Sequence, residues 1–141
     1  ADYHLHFFAS SEYIQQKGAP KALGELQDHR LVGYISDMLF SREVRFLEEL
    51  GLRRMVRFAS SSMAAQREAI RSGAGLGILP RFMALNDPGL VPVLTDRYLL
   101  KRTVWIVSHQ STEDLARVRS VSEYLQRAAR SRRGALLLSE V

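Results

Sequence analysis

Hydrophobic and polar residues along the chain follow two different periods, and each period predicts one type of secondary structure. Residues 3–8 alternate with the two-residue period of a strand, so that the odd-numbered positions share one face. Ser10 or Ser11 follows at once and suits the N-cap of a short helix, which Gly18 ends. The chain therefore opens with a strand and then a helix.

The same alternation continues along the chain. The remaining predicted elements are a turn of helix at residues 23–26, strands at 30–35, 53–59, 76–79, 90–94 and 103–107, and helices at 42–50, 63–71, 81–85 and 113–130. Ser41 is the predicted N-cap of the helix at 42–50, and Ser111 or Thr112 that of the last helix. This order predicts an α/β domain with a largely parallel sheet that helices cover on both faces.

Length and composition agree with one globular domain or at most two small lobes. The chain has 141 residues, of which 46% are hydrophobic, and no cysteine, which excludes thiol catalysis, iron–sulfur clusters and Cys-ligated zinc. No apolar run approaches the roughly 20 residues that span a bilayer, and the amino end lacks the pattern of a signal peptide. We therefore expect a cytoplasmic protein without membrane association. Because Ala1 stands directly before a strand, we also expect a piece of a longer protein.

The net charge of +5 is concentrated in the second half of the sequence. Residues 1–70 hold 9 basic and 9 acidic side chains, whereas residues 71–141 hold 11 and 6. Four arginines without an intervening acid stand near the end, at Arg127, Arg130, Arg132 and Arg133. Such a cluster either contacts phosphates or complements the carboxyl end of a helix dipole, and the sequence leaves both interpretations open.

Enzyme and cofactor motifs are missing from the sequence. It has no nucleophile elbow, no His-Glu-x-x-His and no Walker phosphate loop, and we predict no catalytic residue and no cofactor. His4 and His6 share a strand face, but nothing nearby completes a metal site, so we interpret them as paired surface histidines. The glycines at 73, 75 and 77 follow a helix and precede a strand, an order that suits a helix C-cap and not a dinucleotide loop.

The candidate binding site is Phe58-Ala59-Ser60-Ser61-Ser62-Met63, where a predicted strand ends and a helix begins. Ligands of parallel α/β sheets gather at the carboxyl ends of strands. Hydroxyls and backbone N–H groups at a helix amino end suit a carboxylate or another small anion. One serine suffices for an N-cap, so a plain cap in a polar loop is the equal alternative.

Several segments, taken in order, resemble the effector-binding domain of LysR-type bacterial transcriptional regulators. They are Phe7-Phe8-Ala9-Ser10-Ser11-Glu12-Tyr13-Ile14, His29-Arg30-Leu31-Val32-Gly33-Tyr34, Phe58-Ala59-Ser60-Ser61-Ser62, Ala69-Ile70-Arg71-Ser72-Gly73-Ala74-Gly75-Leu76-Gly77-Ile78-Leu79-Pro80 and Val104-Trp105-Ile106-Val107-Ser108-His109. The resemblance covers about residues 3–130 and rests on the order and spacing of these segments.

The resemblance implies a type II fold like that of periplasmic binding proteins, with a small effector between two α/β lobes. Residues 1–105 then form the second lobe, residues 106–130 a crossover strand and a helix that returns to the first lobe, and residues 131–141 a tail. It implies effector contacts at Ser60, Ser61 and Ser62 beside Phe58 and Met63, with Leu79 and Pro80 near the same cleft, and a dimer contact on the helix of residues 63–72.

The resemblance also implies a dimer or tetramer and a winged helix-turn-helix that binds DNA, which these 141 residues do not contain. Part of the first lobe is absent as well, so the apolar stripe of the last helix, Leu115, Val118, Val121 and Leu125, is expected to need another partner. The alternatives are a solute-binding protein of a transport system, which shares the fold, and a nucleic-acid binder that uses the arginine cluster.

Overall fold

The computed structural model describes residues 1–35, 45–132 and 136. In these ranges the strands are β1 (Asp2–Ser10), β2 (Leu31–Gly33), β3 (Val56–Ala59), β4 (Leu76–Pro80), β5 (Leu90–Val93) and β6 (Leu100–Thr103). The helices are α1 (Ser11–Lys17), α2 (Phe46–Glu49), α3 (Met63–Arg71), α4 (Arg81–Ala84) and α5 (Ala116–Ser131), with 3₁₀-helices at Leu23–Asp28 and Arg53–Met55. The predicted cap Ser41 lies outside the described residues.

The strands form one sheet in the order β3-β2-β4-β1-β5, with β6 paired to the amino half of β1. β2 is parallel to β3 and β4, whereas β1 is antiparallel to β4, β5 and β6. Five strands therefore share one direction and β1 alone runs against them. The prediction of a largely parallel sheet is confirmed for the paired strands β2, β3 and β4, whereas β1 and its partners β5 and β6 form antiparallel pairs, so the prediction is wrong for β1. The reason is that β1 lies between β4 and β5 without a direct connection to either, so no crossover fixes its direction.

Helices cover both faces of the sheet, as the sequence predicts. Alternate residues of β1 point to opposite faces: Leu5, Phe7 and Ala9 pack into the cluster beneath α1 and α2, and Phe8 packs into the cluster beneath α3 and α4. Leu31 of β2 joins the first cluster, and its neighbour Val32 joins the second. The two-residue period of a strand thus builds two hydrophobic layers from one sequence segment.

The helix ends follow the capping signals in the first two thirds of the chain. Ser10 caps α1, because its Oγ accepts a hydrogen bond from the Tyr13 backbone N–H at 3.1 Å. Gly18 ends that helix with φ of 84°, a conformation that glycine adopts without a Cβ penalty. α3 occupies residues 63–71, as the apolar period and the following Gly73 predict.

The strand predicted at residues 103–107 is wrong, because β6 ends at Thr103. Val104 still exchanges backbone hydrogen bonds with Ala1, but no strand of the described residues continues beside residues 105–107. Without a neighbour, their backbone forms no ladder, and Trp105 is 77% exposed. Residues 105–107 therefore have the sequence pattern of a strand but no neighbouring strand among the described residues with which to pair.

The predicted caps of the last helix are also wrong. α5 begins at Ala116, and Leu115 occupies the cap position without a side-chain hydrogen bond. Ser111 and Thr112 instead form a turn with His109: the Ser111 hydroxyl lies 2.7 Å from His109 Nδ1, and the Thr112 hydroxyl donates to the His109 carbonyl at 3.0 Å. The Ser111 and Thr112 hydroxyls are therefore bonded within this turn and do not cap α5. No residue of α5 is buried.

Candidate functional site

The candidate site lies where β2, β3 and β4 end. Because β1 runs in the opposite direction, its amino end meets the same edge, with Leu5 opposite Pro80 of β4. Tyr34, which follows Gly33, therefore lies near Tyr3, whereas β2 and β4 stand between Ala59 and the first residues of the chain. This edge collects groups from four strands, as the carboxyl edge of an α/β sheet does.

The three serines at this edge have different hydrogen bonds. The Ser60 backbone N–H donates to the Gly33 carbonyl at 3.0 Å, and the Ser60 hydroxyl accepts from the Ser62 N–H at 3.1 Å. The Ser62 hydroxyl caps α3 by accepting from the Ala65 N–H at 3.4 Å. The Ser61 side chain is exposed and makes no hydrogen bond among the described residues. Ser60 and Ser62 thus shape the loop, and Ser61 does not take part in these hydrogen bonds.

Gln66 holds the loop of residues 60–62, called the serine loop below, from the core side of α3. Its amide Nε2 donates to the Ser60 carbonyl at 2.8 Å, and the residue is only 2% exposed. Sequence reasoning missed this residue. Its signal was its place on the core-facing side of α3, between Met63 and Ile70, where an uncharged polar side chain needs a hydrogen-bond partner.

Aromatic side chains lie along the same edge of the sheet, and the sequence did not point to them. The Tyr34 hydroxyl donates to Met63 Sδ at 3.9 Å, so the end of β2 contacts the start of α3. Burial, and then the nearby Tyr3, raise the pKa of the Tyr34 phenol, which keeps it a neutral hydrogen-bond donor. Tyr3 in turn packs edge-on against Phe82, with ring centroids 5.9 Å apart.

The structure separates the seven predicted site residues into two groups. Ser60, Ser61, Ser62 and Met63 lie together at the edge, and Phe58 precedes them on β3 with 40% of its surface exposed. Leu79 is fully buried in the cluster beneath α3 and α4, and the buried Pro80 occupies the cap position of α4. The last two side chains therefore support the edge from the core.

The histidines differ from the expectation of a surface pair. His4 and His6 are neighbours, with ring centroids 6.4 Å apart, but His6 is buried and not at the surface. α4 packs against β1, which contributes to this burial. In the described ranges no three His, Cys, Asp or Glu residues form a group that holds a metal ion.

The arginine cluster lies on the last turns of α5. Arg127 pairs with Glu123 at 3.6 Å, and Arg130 donates to the Gln126 side chain at 3.2 Å. Arg133 lies outside the described residues. Both predicted roles of the cluster, phosphate contact and helix-dipole complement, stay open. Within the described part of the chain, no helix has the length and apolar character that a membrane span requires.

Comparison with known families decides the identity of the domain. A family model described as the LysR substrate binding domain matches residues 1–130. The chain belongs to this LysR substrate-binding domain family. The resemblance drawn from the sequence is therefore confirmed. No curated protein matches the sequence of this LysR domain.

Solved structures show the same fold. The CrgA regulatory domain of Neisseria meningitidis matches with 20% identity and a TM-score of 0.69 over 91% of this LysR domain and 65% of that chain. Full-length CrgA matches with 22% identity and a TM-score of 0.70 over 91% and 45% of the two chains. The Vibrio cholerae virulence activator AphB matches with 22% identity and a TM-score of 0.66 over 89% and 44%.

These likenesses confirm the predicted fold class of the LysR domain, the type II arrangement of periplasmic binding proteins. The chain spans about two thirds of the CrgA regulatory domain and less than half of the full-length regulators. CrgA is a LysR-type transcriptional regulator, and AphB is a member of the same family. The findings give no support to the alternative of a transport solute-binding protein.

Proposed function

We propose that this LysR domain senses a small-molecule effector and is the effector-binding part of a bacterial transcriptional regulator. The effector is a small carboxylate or another small anion, and it binds at the carboxyl edge of the sheet. The observation that supports this proposal is the serine loop: Ser60 and Ser62 hold its shape, and the exposed Ser61 hydroxyl has no hydrogen-bond partner among the residues that the structure describes.

The surroundings of Ser61 suit an organic anion. The first turn of α3 presents backbone N–H groups that have no partner within the helix, and its dipole favours negative charge. Tyr34 and Met63 provide an uncharged, polarisable side to the loop, and Phe58 adds exposed apolar surface. A carboxylate at the serine loop would thus place its carbon skeleton against these side chains.

We further propose that residues 1–105 form the second lobe of the effector-binding domain, that residues 106–130 return to a first lobe, and that residues 131–141 form a tail. Two groups of exposed apolar residues support this proposal: Trp105, Ile106 and Val107 before α5, and Val121 and Leu125 on it. Apolar residues in such number on one segment mark a surface that another structure covers. The effector cleft would then lie between this edge of the sheet and the first lobe.

Regulation in the intact protein would be a shift between two arrangements of the lobes. An effector that binds one arrangement more tightly shifts the equilibrium by its differential affinity, commonly about 1–3 kcal/mol. We propose that the protein acts in the cytoplasm as a dimer or tetramer, without catalysis and without membrane contact. DNA contact belongs to a winged helix-turn-helix outside these 141 residues.

A thermal-shift screen of small carboxylates and amino acids tests the proposal. It uses this chain and a version extended at the amino end through a complete first lobe. Ligand at 100 times its Kd adds about 2.7 kcal/mol to the free energy of unfolding of the competent form. We expect the extended version to respond, Ser61→Ala to abolish the response, and Ser120→Ala, an exposed serine on α5, to keep it.

Two results would count against the proposed site. One is a full response in the Ser61→Ala and Ser62→Ala double variant, which would place the effector elsewhere. The other is no response of either version to any compound, which would reduce the serine loop to the N-cap of α3.

A further inference from the structure

An open depression of about 420 Å³ lies at the amino ends of β2 and β3. The carboxyl end of α1 and the residues that lead into β2 form one side of it, and the start of β3 forms the other. The side chains that carry its charge and polarity are Gln16, Lys17, Gln27, Asp28, Arg30 and Arg57. The serine loop follows the carboxyl end of β3, so the depression and the serine loop lie at opposite ends of this strand.

Three side chains of this depression carry a positive charge that no ion pair compensates within the described residues. The side chains of Lys17 and Arg57 are exposed and form no hydrogen bond or ion pair with those residues. Arg30 donates from Nη2 to the Gly73 carbonyl at 3.2 Å, and its guanidinium carbon lies 5.4 Å from the centre of the Tyr13 ring. These two contacts hold the guanidinium in place without neutralising it.

A histidine also lines this depression. His29 is only 9% exposed, and its Nδ1 lies 3.1 Å from the Tyr13 hydroxyl. Because that hydroxyl already accepts from the Arg30 backbone N–H at 3.2 Å, its own proton goes to Nδ1, and the neutral ring carries its proton on Nε2. Burial, and then Lys17, lower the pKa of His29, which favours this neutral ring. Nε2 has no partner among the described residues, and it is not enclosed, since their buried side-chain atoms without a partner are confined to His6.

The charge of the lining indicates a ligand with two negative charges. The three positive side chains share the depression with one carboxylate, that of Asp28. Glu25, the other carboxylate near the histidine, accepts from the Lys21 backbone N–H at 2.9 Å and does not line the depression. A phosphate monoester carries about −1.5 to −2 charges at pH 7 and three acceptor oxygens, so it balances the excess that a monocarboxylate would leave. The Gln16 and Gln27 amides and the Asp28 carboxylate suit hydroxyl groups on the rest of such a ligand.

We propose that this depression is a second ligand site of the domain, which takes a small phosphorylated polyol. The phosphate lies between Lys17, Arg57 and the His29 N–H, and the hydroxyl groups lie against Gln27 and Asp28. A nucleic-acid backbone is the other source of phosphate chemistry. The volume of the depression is typical of small-ligand sites, and a carboxylate stands among its cations, whereas nucleic acids are bound along basic patches or stripes.

Nuclear magnetic resonance of protein with ¹⁵N-labelled histidine tests the proposal, with ribose 5-phosphate as the probe and ribose as its uncharged match. We expect the ester to move the His29 ring nitrogen resonances saturably and to leave those of the exposed His109 in place. Ribose should bind at least about tenfold more weakly, because it lacks the charge-assisted bonds. Arg57→Gln and Lys17→Gln should each weaken the ester to a similar degree, and both variants should fold, since the two side chains are exposed and make no contact that holds the fold. Inorganic phosphate, which lacks the polyol, should also bind more weakly than the ester.

Arg54→Gln is the matched control, because it removes the same charge from an exposed arginine of the 3₁₀-helix before β3 that does not line the depression. It should change the affinity by less than about twofold, and Ser61→Ala should leave it unchanged. Unmoved His29 resonances at millimolar probe, equal binding of ribose or inorganic phosphate, or equal weakening by Arg54→Gln and Arg57→Gln would each overturn the proposal.

Two further results would overturn the proposal by assigning the probe elsewhere. Loss of binding in Ser61→Ala would assign it to the serine loop. A short DNA duplex that binds more tightly than ribose 5-phosphate, and that Arg57→Gln weakens, would assign the depression to nucleic acid.

Discussion

Asp87 and Arg67 form an ion pair in which carboxylate Oδ2 and guanidinium Nη2 are 2.6 Å apart, and only 6% of the Asp87 side chain is exposed. The same carboxylate accepts from the Gly89 backbone N–H at 3.0 Å, and Arg67 Nε also donates to the Met83 carbonyl at 2.9 Å. These bonds join α3 to α4 and to the turn before β5. One buried carboxylate therefore ties α3 to α4 and to this turn.

Replacement of that carboxylate should destabilise the domain. Asp87→Ala leaves the partly buried Arg67 with only the exposed Glu68 as an ionic partner and removes the bond to the Gly89 backbone, so we expect the free energy of unfolding to fall by about 2 kcal/mol. The matched control is Asp114→Ala, whose carboxylate is 97% exposed and pairs with Arg119 at 3.8 Å. Its expected cost is about 0–1 kcal/mol. Urea unfolding measures both, and equal costs would show that the Asp87 network does not hold α3.

Gly75 occupies a position where no other side chain fits. A Cβ there would collide with the Arg30 carbonyl group, which accepts the Leu76 backbone N–H at 2.9 Å. Because backbone atoms cannot move aside without breaking the β2–β4 ladder, Gly75→Ala should cost about 3 kcal/mol. At Gly24 an added Cβ meets nothing within 4 Å, and Gly24→Ala should be neutral or slightly stabilising. Thermal unfolding that ranks the two variants equally would contradict this account.

Sequence signals that act within a few residues explain why the bounds of α3 and β4 could be predicted. The segment from Ser62 to Pro80 contains a serine cap, an apolar helical period, a left-handed glycine at 73 and an apolar run, and each signal acts within a few residues. α3 and β4 follow them directly. The serine loop was predicted for the same reason, since a strand end next to a helix cap is visible in the sequence.

Features that depend on distant residues were not predicted. The direction of β1 is set by β4 and β5, some 70 to 90 residues later, and α4 contributes to the burial of His6. Tyr34, Gln66 and Phe82 became candidates only once the fold brought them to the edge that Ser60 occupies. The prediction of a strand at residues 103–107 was wrong because a sequence pattern shows the strand propensity of a segment and not whether a neighbouring strand is present to pair with it.

The apolar side chains of α5 should control association and not stability. Leu125 is exposed and α5 has no buried residue, so Leu125→Asp should change the free energy of unfolding by less than about 0.5 kcal/mol. The same change should reduce self-association in sedimentation velocity, because it places a charge in the apolar surface. Ser120→Asp adds the same charge elsewhere on the helix and should leave association unchanged. A chain that stays monomeric at high concentration would contradict the proposed role of this surface.

Two buried histidines should make the domain less stable in mild acid. Burial lowers the pKa of His6 and of His29 below the ordinary 6.5, with Lys17 adding to the effect on His29 and Asp28 and Glu25 opposing it. At a pH between the pKa of these histidines in the folded protein and 6.5, their pKa in the unfolded chain, the unfolded chain binds more protons than the folded chain. The free energy of unfolding is therefore highest above about pH 6.5 and falls as the pH decreases through that value.

The contribution of His6 to this pH dependence can be isolated by substitution. Its ring faces His4 and Arg81, and no acidic group is among the causes of its shift, so protonation in the folded state gains no compensating ion pair. His6→Phe removes the group that the unfolded chain protonates, and its free energy of unfolding should fall less than that of the wild type between about pH 7 and pH 5. Urea unfolding across this range measures the slopes. A slope in His6→Phe equal to that of the wild type would show that His6 does not contribute to the pH dependence.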